Sequence, residues 1–319
     1  MKCVSNYNID RLSRSLLLSS SDVESEDVFE FTFSQNESES EEETSEEDSE
    51  ESEEESEEEI LFPSCSIYCG AYHSIYVNKK RKMYMLGDIE YEETNNDGVR
   101  ASDPTAIKEI PPVAAVSCTD YATVFTDTDK ELWSFGRNDK GQLGLGDEET
   151  RIIPRKVSGI PPVTSISCGS AHVMLIDQSG CLWGFGSNED GQLGLGHCKP
   201  IVSSPLAVNK AAVQVTCGGN ISMIIDSQDE VYACGNNSCG QLSVGDKENR
   251  DIFTPALHVP SNIASISCGN EHIVYKTKSG QCYGAGSNKS LQLGFEELDE
   301  YPVPTLMSFL PPIEEINCK

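Results

Sequence analysis

Cys168 and His172 stand four residues apart in SCGSAHVMLIDQSGCLWGFGSNEDGQLGLG (residues 167–196), and a glycine-rich loop follows them. Three chemistries use such residues. A thiol beside an imidazole makes a nucleophile with its general base. The same pair supplies two ligands of a metal site. Glycines opening a helix cradle phosphate with backbone N–H groups. Each of these depends on the elements that hold the groups in place.

Those elements repeat. The marker Cys recurs at Cys69, Cys118, Cys168, Cys217, Cys268 and Cys318, at intervals of 49, 50, 49, 51 and 50 residues. A second marker is Pro104, Pro154, Pro205, Pro255 and Pro304. A third is Gly-Gln-Leu, opened by Gly141, Gly191 and Gly240 and degraded to Leu291-Gln292-Leu293-Gly294 in the last unit. A fixed period of this length signals a repeat architecture.

Each unit reads as four short strands. In one of them these are Val163–Cys168, His172–Asp177, Cys181–Gly186 and a fourth following Pro205. They are β-branched or aromatic runs bounded by Gly, Asn, Asp or Pro. Proline cannot donate to a ladder, so its fixed place at the start of the fourth strand predicts an outer, edge strand. Four-stranded units of about 50 residues predict an all-β fold, a β-propeller of about five repeats over residues 61–319. Residues 1–60 form a separate Ser/Glu-rich acidic tail.

Repetition argues against catalysis. Cys69/His73, Cys168/His172 and Cys268/His272 share one spacing, whereas an enzyme needs a single nucleophile–base pair with an orienting group. Ala122 and Ile221 replace the His in two units. The Cys is therefore expected to be a small buried hydrophobe, with Gly169 at a tight turn and the His bonded to backbone there. Gly136-Arg137-Asn138-Asp139-Lys140-Gly141-Gln142-Leu143 has the glycine spacing of a P-loop but lacks the Lys-Ser/Thr pair. Its glycines are expected to supply positive φ where the chain reverses between blades. Cys65/Cys69 and Cys234/Cys239 lack the further ligands of a zinc site. Trp133 and Trp183 share one repeat position, which predicts packing between blades. No cofactor, metal or active site of its own is expected.

Charge is uneven. The net formal charge is −30; residues 1–62 hold 22 Asp/Glu against 3 Lys/Arg. That balance disfavours direct nucleic-acid binding and anionic membranes and favours basic proteins as partners. Residues 34–59 carry no apolar side chain and are expected to be disordered. Ser38, Ser40, Ser45, Ser52 and Ser56 each precede an acid by three residues, the pattern of acidophilic kinases. Two readings stand: a solubilising bristle, or a phosphorylated tail that binds basic protein. Phe29, Phe31 and Phe33 alternate, as in a strand that docks on a sheet edge. No stretch approaches a membrane span, and Leu16-Leu17-Leu18 is too short for a signal-peptide core. Thirteen scattered Cys fit reduced thiols in an intracellular protein; the cytoplasm is the favoured compartment, with the nucleus as the alternative.

Cys168-Gly169-Ser170-Ala171-His172, Trp183-Gly184-Phe185-Gly186-Ser187-Asn188 and Gly191-Gln192-Leu193-Gly194-Leu195-Gly196, followed by Pro205, resemble the regulator of chromosome condensation repeat. The resemblance implies a propeller that binds protein, a small GTPase first. It equally allows the family's founding activity, guanine-nucleotide exchange, which uses a hairpin wedge. The even intervals leave no room for a wedge-sized insertion. A light-sensing member depends on a tryptophan cluster, which two Trp cannot make. Family rings close with seven blades, about 350 residues. Here five units and a sixth strand, Ile316-Asn317-Cys318, are present; a five-bladed ring clasped by that strand, an open array completed by a partner and a truncated chain are the three accounts, and some form of closure is expected to protect the open edge.

Overall fold

A computed structural model describes residues 66–88 and 100–318. The acidic segment with Ser38, Ser40, Ser45, Ser52 and Ser56, the Phe29–Phe33 strand, Cys65 and residues 89–99 lie outside the described residues.

Twenty strands form five antiparallel sheets, each a meander of four consecutive strands. The first holds β1 (Ser66–Cys69), β2 (His73–Val77), β3 (Met83–Asp88) and β4 (Arg100–Ala106). The second holds β5 (Val113–Cys118), β6 (Ala122–Asp127), β7 (Leu132–Gly136) and β8 (Arg151–Lys156). The third holds β9 (Val163–Cys168), β10 (His172–Asp177), β11 (Cys181–Ser187) and β12 (Ile201–Ala211). The fourth holds β13 (Gln214–Gly218), β14 (Ile221–Ile225), β15 (Val231–Gly235) and β16 (Arg250–Pro255). The fifth holds β17 (Ile263–Cys268), β18 (His272–Thr277), β19 (Cys282–Ser287) and β20 (Glu300–Leu306). These are the blades of an all-β propeller.

The second strand of each blade explains its composition. Every residue of β6, β10 and β14 is buried. A strand covered on both faces by neighbouring blades loses the apolar–polar alternation of a half-exposed strand. The cores are accordingly shared. Ile75 and Met85 of the first blade cluster with Val116 and Phe125 of the second. Val124 and Leu132 cluster with Val173 and Leu175, and these with Val215 and Ile224. Ile221 and Met223 cluster with Ile266, Ile273 and Tyr275.

The marker proline lies inside the outer strand, not at its start. Pro205 is within β12 and Pro154 within β8. The pairing shifts register opposite Pro154 and Pro205, between Ser134 and Gly136 and between Gly184 and Gly186. A bulge removes the ladder bond that proline cannot make.

Inner strands touch in chain order, β1 to β5 to β9 to β13 to β17, and no contact of comparable extent joins β17 back to β1. The expected closure is not seen among the described residues. Instead, Ile316-Asn317-Cys318 lies where a further inner strand would lie. The Cys318 N–H donates to Ser267 Oγ (2.6 Å), and Ile313, Ile316 and Cys318 pack on the fifth blade.

Leu291 marks that end. It replaces the glycine of Gly-Gln-Leu and sits at φ 59° with 53% of its surface exposed. Elsewhere this glycine admits the next blade's outer strand. A Cβ on Gly191 would lie 2.5 Å from Asp251 Cα, and one on Gly240 2.5 Å from Pro302 Cβ. Among the described residues no such strand lies against Leu291, and its side chain is exposed on a left-handed backbone. Leu291→Gly should therefore stabilise the protein by about 1 kcal/mol. Urea denaturation checks this; a loss of stability would mean that the Leu291 side chain packs on something.

Candidate functional site

The Cys-x-x-x-His pair is a joint between blades. The backbone first closes a tight turn, with the Gly169 N–H donating to His172 O (2.9 Å). The His172 ring then leaves its own blade. Its Nε2 is 2.9 Å from Ser222 Oγ of the next one, while His73 Nε2 is 2.8 Å from Thr123 Oγ1. The expectation of a purely backbone partner was therefore incomplete; the acceptor or donor that matters is a hydroxyl about 50 residues on. The glycine exists for the ring. A Cβ on Gly169 would fall 2.2 Å from His172 Cε1, and one on Gly269 2.1 Å from His272 Cε1. In the second blade, where Ala122 replaces the His, Thr119 replaces the glycine and caps the Ala122 N–H through its hydroxyl (2.9 Å).

Most of the marker thiols are covered. Cys118, Cys168, Cys217 and Cys268 are buried, while Cys69 and Cys318, at the two ends of the array, are half-buried. Burial pushes the Cys217 thiol up to about 12 and the Cys268 thiol well above its ordinary value. Burial also lowers His172 to about 4, against a weaker opposing backbone bond to Ile221, and lowers His272. Burial thus raises the thiol and lowers the imidazole of Cys268/His272, the reverse of an activated nucleophile with its base, and the His172 ring is bonded to another blade. The Ser before Cys118, Cys168 and Cys268 has a role that the sequence did not reveal. Ser117 Oγ accepts from the Cys168 N–H (3.1 Å) and Ser167 Oγ from the Cys217 N–H (2.9 Å), which satisfies the free edge of each inner strand.

The glycine loop is built on a buried asparagine. Asn188 Oδ1 accepts from the Leu193 N–H (3.0 Å) while its Nδ2 donates to His197 O (2.7 Å). Asn138, Asn237 and Asn288 repeat the clamp. Gln192 Oε1 accepts from the Asp190 N–H (3.0 Å). Gly141, Gly191 and Gly240 do have positive φ. They lie within the loop between third and fourth strands, where it touches the next blade, rather than at the chain reversal between blades. The loop's backbone donors are thus spent internally, and no helix follows it.

Trp133 and Trp183 pack against the inter-blade cores, as their shared position predicts. Each indole N–H also donates to an Asp carboxylate, Asp127 (2.9 Å) and Asp177 (3.0 Å). Among the described residues, no three His, Cys, Asp or Glu side chains gather to hold a metal ion, and no helix is long and apolar enough to cross a membrane.

What remains is a surface. The turns between first and second strands form a backbone chain across the blades: Tyr72 N–H to Asp120 O (3.4 Å), Asp120 N–H to Ser170 O (3.0 Å), Ser170 N–H to Gly219 O (2.9 Å). That chain brings Tyr72 onto Tyr121, with ring centroids 4.2 Å apart and planes at 8°. Arg137 lies over the Tyr121 ring at 5.3 Å and pairs with Asp139 (2.8 Å). Burial and the bond to Tyr72 raise the Tyr121 phenol. Tyr72 is 50% exposed. Sequence reasoning missed these three residues. The available signal was the residue before the second strand, which is Tyr72 and Tyr121 in consecutive units but Ala171, Asn220 and Glu271 in the others.

Known proteins share both the motifs and the fold. The Regulator of chromosome condensation (RCC1) repeat matches residues 129–176, 179–225 and 228–275, and a second form of it matches 113–142, 163–192, 212–241 and 263–292. The human X-linked retinitis pigmentosa GTPase regulator is 34% identical over 86 residues, 26% of this chain and 8% of that protein. The Ultraviolet-B receptor UVR8 of Arabidopsis thaliana is 31% identical over 98 residues, 29% of this chain and 22% of that protein. The chain thus spans under a quarter of either relative. The crystal structure of human WBSCR16 superposes with a TM-score of 0.70 at 19% identity, covering 79% of this chain and 69% of that one. The repeat matches run without a gap from residue 113 to residue 292, and the chain belongs to the RCC1 repeat family.

Proposed function

We propose that this protein is a binding module that engages a small GTPase through the face carrying Tyr72, Tyr121 and Arg137. The observation behind the reading is that cluster: two stacked aromatics and an arginine on the inter-strand turns of a stiff scaffold. Aromatic and Arg side chains dominate the energetics of protein interfaces, and such turns are where rigid folds carry function. The relatives add support, because one of them is named a GTPase regulator. The covered thiols and the internally satisfied loops support binding rather than covalent chemistry. The eleven described cysteines are all free, which fits a reducing, intracellular setting. The Ser/Glu-rich segment serves in this reading as an attractor of basic protein.

The test is capture of small GTPases by the full chain from EDTA-treated and from GTP-loaded lysate. Enrichment of one GTPase after EDTA, which favours the nucleotide-free state, would point to exchange activity; enrichment with GTP would point to an effector or scaffold. Truncating Tyr72, Tyr121 and Arg137 together to alanine should weaken capture by about 2 kcal/mol or more, roughly 30-fold in Kd. Capture indifferent both to nucleotide and to these substitutions would overturn the proposal.

A further inference from the structure

One outer strand departs from the other four. β12 runs for 11 residues, against 7, 6, 6 and 7 in β4, β8, β16 and β20. The excess lies past the marker proline. β8 ends two residues after Pro154, β16 ends on Pro255 and β20 ends two residues after Pro304, whereas β12 continues beyond Pro205 to Ala211. In the other four units a further proline stands before the next inner segment: Pro111-Pro112, Pro161-Pro162, Pro260 and Pro311-Pro312. Only Ala212 and Val213 separate β12 from β13. Proline and outward charge are the usual guards of a sheet edge. Here the charge is turned away too: Lys210 Nζ lies 3.2 Å from the centre of the Tyr232 ring and 3.7 Å from Asp226, both of the next blade.

Outer edges in this fold do take up extended backbone. Leu195, in the glycine loop of the third blade, makes a β-bridge with Ile252 of β16, and the Gly196 N–H donates to Asp251 O (2.7 Å). β12 receives one such bond, from the Gly146 N–H to Ser203 O (2.8 Å). Past Ser203, no backbone bond from another blade reaches the strand among the described residues. The ladder to β11 is loose there as well. Register passes from Trp183 opposite Ala207 to Cys181 opposite Ala211, so Val208, Asn209 and Lys210 face Leu182 alone. Ala207, Asn209 and Ala211 are exposed, while Val208 is buried and Lys210 half-buried. Small side chains thus line the solvent face of an unguarded edge on the outermost strand of its blade.

Charge and symmetry select the occupant. No Asp or Glu stands between Asp190 and Asp226 in a chain of net charge −30, so two copies repel least along this stretch. An antiparallel pair sets side chains of the same face opposite each other. A two-fold axis through Asn209 meets that condition. It places Ala207 against Ala211 of the second copy, Asn209 against its own equivalent and Val208 against Lys210. Lysine then faces valine rather than lysine, which avoids the cost of like charges directly opposed. Such a contact is isologous and closes at two copies. We propose that β12 is a self-association edge: two copies of this chain pair antiparallel over residues 207–211 and join their third blades, four strands each, into one continuous sheet. This does not depend on the GTPase reading.

Sedimentation velocity of the full chain, from about 1 to about 100 µM, reads the mass directly. Dimer should accumulate over that range, and the amides of 207–211 should exchange more slowly with deuterium as concentration rises. Two variants, with melting temperature checked, test the register: Ala207→Lys/Ala211→Lys and Ala207→Glu/Ala211→Glu. Each should self-associate at least about tenfold more weakly, because like charges meet across the axis. An equal mixture of the two should recover dimer, since lysine then faces glutamate. A chain that stays monomeric at about 100 µM overturns the proposal. So does a dimer that both variants retain, one that the mixture fails to restore, or one whose exchange at 207–211 ignores concentration. If a variant does not fold, the exchange measurement on the unaltered chain decides alone.

Discussion

Gly169→Ala should destabilise the protein by about 3 kcal/mol and lower its Tm by roughly 10 °C. The new Cβ would sit 2.2 Å from His172 Cε1 and 2.6 Å from Gly219 O, one contact within the blade and one with the next. Neither gives way easily. His172 is fully buried with its Nε2 held by Ser222, and the Gly219 carbonyl already accepts from the Ser170 N–H. Adding His172→Ala should recover more than half of the loss. The pair then approaches Thr119 and Ala122, which the second blade already uses. A double-mutant cycle measured by urea denaturation reads the coupling directly. If the two losses simply add, the ring is not what the glycine serves. At Gly269 the single substitution should cost less, because His272 is only partly covered and no described blade follows it.

That pairing also shows how far the sequence could be read. Period, strand number and blade boundaries were legible, because β-branched runs between turn residues recur and an outer strand needs its proline. The range expected for the first two strands of the third unit is the range found, Val163–Cys168 and His172–Asp177. Gly169 and His172 were visible as a motif, but their mutual dependence was not, since it is a clash in space rather than a pattern along the chain. The Ser222 partner and the Ser117–Cys168 bond lie about 50 residues apart and are set by blade stacking. Tyr72, Tyr121 and Arg137 were missed for the same reason: only the backbone chain from Tyr72 to Asp120 brings the two rings together.

Acid should destabilise the fold by about 3 kcal/mol between pH 6.5 and pH 4 through His172 alone. In the unfolded chain the imidazole takes up its proton near 6.5. In the folded protein burial delays that until about 4. Above pH 6.5 both states are neutral and the full stability is present. Between the two values only the unfolded state binds the proton, so stability falls by about 1.4 kcal/mol per pH unit. His272, lowered in the same direction by burial, adds to the slope. Carboxylates act later: the two lysines on Glu300 hold it at about 2, so its contribution disappears below the ordinary carboxylate range. His172→Gln keeps a polar group toward Ser222 but cannot titrate. It should lower stability at pH 7 and flatten the profile between pH 6.5 and 4.5. An unchanged slope in that variant would assign the acid sensitivity to other groups.

Each blade is a meander of four strands adjacent in the chain, so no described sheet borrows a strand from a distant part of the molecule. A ring that locks by pairing its last segment with its first must wait for the whole chain and then pay a large loop-closure entropy. The five described blades need no such step. Each unit has its complete hydrogen-bond ladder once its own stretch of about 50 residues has emerged, about 3–10 s of synthesis apart. The His ring, the Ser hydroxyl and the glycine loop then fasten it to the one before. Assembly is thereby directional, like a zip run from the first blade to the fifth, with low contact order for an all-β protein.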